Sequence, residues 1–158
     1  MGLDFQDTEN ILKMNKVVKS ILGWLIYLAI LAALVWGTPK GLAFVLKTKY
    51  PMASITSGSM WPALKTGDMV FIKGIENKDE IKVGDIIVYK NPLGFTIHRV
   101  IEINENIIIT KGDANNVSDA PVKFEEIIGK TLDFNNKPIR IPYLGQISIL
   151  FNFSHKNS

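Results

Sequence analysis

Apolar residues are distributed along this chain in two distinct ways. From Ile21 to Trp36 the sequence reads ILGWLIYLAILAALVW without a charge, and Val17, Val18, Gly37 and Thr38 extend it to the roughly 20 helical residues that a hydrocarbon core of about 30 Å requires. The stretch is apolar all round, which predicts a membrane-crossing helix, since the remaining chain is too small to enclose it as a buried core helix, the competing reading. Trp36, near its end, stands where an amphipathic ring meets the lipid-water interface, and Trp24 and Tyr27 lie within the span. The run is longer than a signal-peptide hydrophobic region of about 7 to 15 residues, and no small-x-small exit site precedes Pro39, so a permanent anchor is expected. Lys13, Lys16 and Lys19 precede it and Lys40, Lys47 and Lys49 follow it, so charge asymmetry does not orient it.

Beyond Pro39 the pattern shortens. Gly41 to Leu46 is an apolar patch too short to span and reads, with Tyr50 and Pro51, as a connector near the membrane surface. β-Branched runs follow at Met69 to Ile72, Ile86 to Tyr89, Ile97 to Ile103, Ile107 to Thr110 and Ile127 to Leu132, separated by Gly, Asn, Pro and Asp clusters. The expected fold is mainly β: the N-terminal transmembrane helix, then a small coiled or closed antiparallel sheet. Gly-Asp recurs at Gly67-Asp68, Gly84-Asp85 and Gly112-Asp113, the first two as turn chemistry and not as a true repeat. Ile147 to Phe153 is too short to cross a bilayer and is expected to pack or to dip at the interface. A hairpin folded about Glu105 brings Ile97 to Ile103 against Ile107 to Lys111, which places His98 opposite the neighbourhood of Gly112 and makes Asp113 its neighbour. A slip of one residue would turn a side chain to the other face.

Composition narrows the classes. With 158 residues, 47% hydrophobic and 21% charged, the chain has room for one compact core plus an apolar segment and is too apolar for disorder. A net charge of +3, with lysines dispersed among carboxylates, offers no groove for nucleic acid, which is set aside as a partner. The absence of cysteine removes disulfides, thiolate catalysis and cysteine-zinc sites, without fixing a redox compartment.

The candidate chemistry lies in Thr56-Ser57-Gly58-Ser59-Met60-Trp61-Pro62. A serine nucleophile needs a base in reach and donors for the tetrahedral oxyanion. Ser59 is the candidate nucleophile, its own backbone N–H and the Ser57 hydroxyl the candidate oxyanion donors, and Gly58 lets a substrate backbone approach. Ser-Gly-Ser by itself is equally an ordinary turn. His98 changes the balance: it is one of two histidines, the other, His155, sits in a polar tail, and an imidazole with a reference pKa of about 6.5 serves as a base near neutrality. The bland reading of His98 is a half-exposed strand histidine. Asp113 and Asp119, in KGDANNVSDAP, are both candidates to orient the ring; the bland reading of either is a loop cap.

Taken in order, SGSMWPALKTGD, VGDIIVYK, IHRVI and ITKGDANNVSDAP resemble the successive boxes of type I signal peptidases, in the archaeal and endoplasmic-reticulum branch that pairs serine with histidine. The resemblance covers residues 54 to 145 and implies Ser59 as nucleophile, His98 in place of the lysine of the typical bacterial branch, and Asp119 as the ring's partner with Asp113 supporting the loop. Ser57, Gly58 and Met60 become oxyanion or substrate-binding positions. The implied division is a cytoplasmic segment 1–19, an anchor 20–38, a membrane-proximal connector 39–53, a catalytic β-domain 54–146 on the outer or luminal side, and a tail 147–158. Trp61 departs from the acidic residue that many members carry after Ser-Met. The implied activity is removal of signal peptides that end in small residues, with secretory preproteins and the lipid bilayer as partners, accessory subunits left open, and neither metal nor organic cofactor required. Three alternatives stand beside it: a Ser-Lys dyad using Lys73, Lys82 or Lys90, which needs a pKa lowered by several units; a self-cleaving repressor-like peptidase; and a silent membrane-tethered binding domain.

Overall fold

The computed structural model describes residues 5–92, 94–105, 107–147 and 149, with side chains described from residue 15 onward. Two compact units divide between Gly41 and Leu42. The first is helical. Helix α1 runs Phe5–Val45, 41 residues, and its portion Asn15–Val45 is long and apolar enough to cross a membrane. Large apolar side chains project from it on every side, Trp24, Leu25, Tyr27, Leu31 and Trp36 among them, all exposed, as expected of a helix whose natural solvent is lipid.

Helix α1 passes through Pro39 and does not stop at Thr38. Proline removes one N–H and disfavours the helical conformation of the residue before it; the helix nevertheless continues through Gly41 to Val45, with the Thr38 hydroxyl bonded back to the Leu34 carbonyl. The helix ends where Lys47 adopts φ 51° and Thr48 N–H reaches back to the Ala43 carbonyl at 3.1 Å, a left-handed stop of the kind glycine more often supplies.

The second unit is antiparallel throughout. Its strands are β1 Met52–Ser54, β2 Met69–Lys73, β3 Ile86–Asn91, β4 Gly94–Ile103, β5 Ile107–Lys111, β6 Val122–Lys123, β7 Ile127–Thr131, β8 Asp133–Phe134, β9 Lys137–Pro138 and β10 Arg140–Ile141. The main sheet follows the order β1-β2-β7-β3-β4-β5-β6, β10 also pairs β2, and β8-β9 is a separate ribbon. Among the described residues the order runs open from β1 to β6, with no pairing that closes the sheet. All five predicted runs are strands, and the sheet starts at Met52, inside the segment read as connector. The predicted tail 147–158, with His155, lies mostly outside the described residues.

Strand β3 is buried on both faces, which is why IIVY reads as an unbroken apolar run instead of an alternating one. Ile87 and Tyr89 join Ile81, Val100, Ile108 and Val122 on one side, while Ile86 joins Ile55, Met60, Leu64 and Val70 on the other.

The first two Gly-Asp pairs are the same device. Gly67 (φ 90°) and Gly84 (φ 98°) occupy the left-handed region, and the following carboxylate accepts the backbone N–H three residues earlier: Lys65 to Asp68 at 2.9 Å and Lys82 to Asp85 at 3.0 Å. Each carboxylate then receives a distant cation, Arg140 at 2.7 Å for Asp68 and Lys130 at 2.9 Å for Asp85, so these turns also pin β10 and β7. The Asp68 side chain is 4% exposed and Arg140 32%. Replacing Asp68 with Ala removes the acceptor of the Lys65 N–H and strands a half-buried guanidinium, and is expected to lower stability by about 2 kcal/mol, read as a shift of the unfolding midpoint in detergent; an unchanged midpoint would show the pair to be ornamental.

Candidate active site

The loop between β1 and β2 carries the serines. Its neck is closed by Ile55 N–H on the Asp68 carbonyl and Gly67 N–H on the Ile55 carbonyl, both 2.8 Å. Met60 and Leu64 anchor it in the core beneath, so Met60 contributes a buried wall while its neighbour Ser59 faces the sheet. Ser59 is also held by its carbonyl, which accepts the Ala114 N–H at 2.8 Å. Gly112 makes that approach possible: a Cβ there would lie 2.7 Å from the Ser59 carbonyl oxygen, closer than real contacts allow.

His98, in β4, stands between two partners. Nδ1 lies 2.6 Å from Asp119 Oδ2 and Nε2 lies 3.1 Å from Ser59 Oγ. A carboxylate beside Nδ1 assigns the proton to that nitrogen and leaves the Nε2 lone pair free to accept the Ser59 hydroxyl. Ser57 Oγ is 3.1 Å from Ser59 Oγ; with the Ser59 hydrogen directed to His98, Ser57 is the donor. The proton order is thus Ser57 to Ser59 to His98, with Asp119 behind the ring.

Strand register explains which aspartate the ring finds. Around Glu105 the turn is one residue out of symmetry, since Ile103 pairs with Ile108, but a bulge between Val100 and Glu102 restores Val100 opposite Thr110 and Arg99 opposite Lys111. His98 therefore does lie opposite the Gly112 neighbourhood, as the hairpin predicts. Residues directly opposite share a face and their neighbours take the other. Asp113 goes to the far face and grips Arg99 with two bonds of 2.7 Å, while a third Arg99 nitrogen holds the Gly84 carbonyl at 2.8 Å. The expectation that Asp113 is the ring's neighbour is corrected on this ground. Its carboxylate raises the Arg99 pKa above the ordinary arginine value and fastens the start of the loop that returns Asp119 to Thr110, N–H to carbonyl, at 2.8 Å.

Beside these groups opens a cleft of about 850 Å³ whose lining includes Ser57, Ser59, His98 and Asn115, with Ile55, Val88, Phe95 and Ile97 among its apolar walls. No lysine lines it. Lys73 instead approaches Glu80 at 3.5 Å, and Lys82 and Lys90 are exposed. Gly58 has open space beside it, and Trp61 is exposed. Among the described residues no group of three or more His, Asp or Glu side chains could hold a metal ion. Thr110, Gly112 and Arg99 belong to the site's construction; all three lie within the boxes IHRVI and ITKGDANNVSDAP, but none was a candidate site residue.

Comparison with known proteins places this geometry in a lineage. A family model described as Peptidase S24-like matches residues 37–132. The chain is 30% identical over 139 positions to the signal peptidase complex catalytic subunit SEC11C of Canis lupus familiaris, covering 77% of this chain and 66% of that protein. It is 34% identical over 129 positions to SEC11 of Colletotrichum graminicola (72% and 70% covered) and 30% identical over 131 positions to SEC11 of Candida tropicalis (72% of each). The chain spans just under two thirds of the length of the mammalian relative. The family match over most of the β-unit, together with these SEC11 likenesses, makes the chain a member of the Peptidase S24-like family, on the type I signal peptidase branch that holds the SEC11 subunits.

Proposed function

We propose that this chain is a membrane-anchored serine endopeptidase that removes N-terminal signal peptides from preproteins. The observation that carries the proposal is the alignment of Ser59 Oγ, His98 and Asp119, at 3.1 and 2.6 Å, on the edge of an apolar cleft. Ser59 Oγ attacks the carbonyl of the signal peptide's last residue while its proton passes to His98 Nε2; Asp119 balances the imidazolium. The C–N bond then breaks as His98 returns the proton to the leaving amine, and the acyl group remains on Ser59. Water, deprotonated by the same nitrogen, releases the signal peptide and restores the serine. The Ser59 backbone N–H and the Ser57 hydroxyl are the donors for the oxyanion, and Gly58 leaves the approach open.

A lysine base is disfavoured, because among the described residues none lines the cleft and a lysine amine, unlike an imidazole, needs its pKa lowered by several units to act as a base. The apolar walls suit short side chains at the first and third positions before the cut. We assign α1 as a single span with the β-unit on the outer or luminal side, confining enzyme and substrate to one surface and raising their effective concentration. The relatives are named as subunits of a signal peptidase complex, and by that likeness this chain acts with further subunits on secretory preproteins.

The test is a cleavage assay with purified protein in detergent and a preprotein whose signal ends in Ala-x-Ala. A single cut after the second alanine is expected, lost when either alanine becomes Phe. Failure to cut any such preprotein, in detergent and in membranes that hold the further subunits, would remove the peptidase reading and leave a tethered binding domain.

A further inference from the structure

We propose that Thr110 and Tyr89 are positioning residues of this site: a buried hydroxyl relay runs from Tyr89 through Thr110 to Asp119 and holds that carboxylate, and through it the His98 ring, in its working orientation. The inference rests on the reading of Ser59 and His98 given above.

Thr110 is fully enclosed and Tyr89 is 5% exposed. Thr110 grips Asp119 twice: its carbonyl accepts the Asp119 N–H at 2.8 Å, and its hydroxyl lies 2.6 Å from Asp119 Oδ2, the same oxygen that receives His98 Nδ1. A threonine hydroxyl has one hydrogen to give. The carboxylate is both nearer and charged, so the hydrogen goes there. With that hydrogen committed, the 3.3 Å contact between Thr110 Oγ1 and Tyr89 Oη is a hydrogen bond with the tyrosine donating its own hydrogen. Burial raises the Tyr89 pKa, which keeps that hydrogen in place across the neutral range.

The sheet makes the relay possible. Ile87 pairs with His98, Tyr89 with Thr96, and Val100 with Thr110, so Tyr89, His98 and Thr110 share one face of three adjacent strands. Asp119 comes from a loop, and its side chain is 22% exposed. Without a second bond a loop carboxylate can rotate away from the ring, so the threonine supplies an orientation that His98 alone cannot enforce. The rival account is that Thr110 satisfies its own hydroxyl in a crowded strand. The two accounts separate on substitution: a merely satisfied hydroxyl can be replaced by a methyl of the same shape at little cost to function, whereas an orienting one cannot.

The experiment compares Thr110→Val, Thr110→Ser, Tyr89→Phe and Ser59→Ala as full-length protein in detergent, well below the unfolding midpoint. Thr110→Val is expected to lower kcat about 10- to 100-fold, with KM within about twofold because no substrate contact is lost. Thr110→Ser should recover most of the rate, and Tyr89→Phe should lower kcat about three- to tenfold. The short His98 Nδ1–H bond gives a downfield proton resonance in the parent and in Ser59→Ala, expected to move upfield or to broaden in Thr110→Val. An unchanged kcat and an unchanged resonance in Thr110→Val, with Ser59→Ala inactive, would overturn the relay while leaving the peptidase standing. Retained cleavage in Ser59→Ala would overturn the site and the relay together. Should Thr110→Val not fold, Tyr89→Phe decides by the same two readouts.

Discussion

Ser59→Ala is expected to cut preprotein at less than about a thousandth of the parental rate. Its fold should be unchanged, since the Ser59 carbonyl and not its hydroxyl carries the bond to Ala114. His98→Ala should fall as far, and the double variant should fall little further, because nucleophile and base act as one unit and the second loss removes nothing that still works. Lys73→Ala, Lys82→Ala and Lys90→Ala should each stay within about twofold of the parent, as surface substitutions distant from the chemistry. An active His98→Ala beside an inactive lysine variant would transfer the base to that lysine and sink the histidine mechanism.

Asp119→Asn and Asp113→Asn are expected to differ in kind. In Asp119→Asn the amide still accepts from Thr110 but no longer balances the imidazolium or enforces the Nδ1–H tautomer, so kcat should fall about 10³- to 10⁴-fold with a nearly unmoved unfolding midpoint. Asp113→Asn breaks the two-point grip on Arg99. It should cost about 1–3 kcal/mol of stability, with Arg99→Ala costing about as much and the double variant adding little. Cleavage should suffer in Asp113→Asn as well, through the loosened loop that also clasps the Ser59 carbonyl. The midpoint, read by near-ultraviolet dichroism, separates the two: a stable Asp113→Asn beside an unstable Asp119→Asn would reverse the assignments.

Much of this architecture is legible in the residues. ILGWLIYLAILAALVW has no polar face to bury, and the five β-branched runs are long enough for periodicity and turn residues to define them. Strands β1, β6, β8, β9 and β10 are two or three residues each, too short for any period to register; β1, β6 and β10 form because longer strands offer them an edge, and β8 and β9 pair only with each other. The helix outruns its predicted end because Pro39 weakens a turn without forbidding it when the side chains beyond are apolar. Hairpin reasoning found the right neighbourhood for the wrong reason: turn asymmetry and bulge are each a one-residue error, and they cancel. It favoured Asp113 over Asp119, since the choice depends on face parity and on the path of an irregular loop, which it did not follow; Asp119 was implied only by the family resemblance. Thr110 looked like any β-branched strand residue, and a hydroxyl's partner cannot be read from its own identity.

The bulge in β4 has a consequence of its own. Ile101 is the unpaired residue there and is 43% exposed, so it is a spare rung. Because of it Ile103, and not Glu102, shares the side of Val100 and packs against the cluster containing Ile108. Excising Ile101 would leave every partnership above and below it in phase and merely straighten the strand. Excising Arg99 instead would swing the imidazole through the sheet to the opposite side. The strand therefore tolerates shortening on the tip side of Val100 far better than on the side that carries His98.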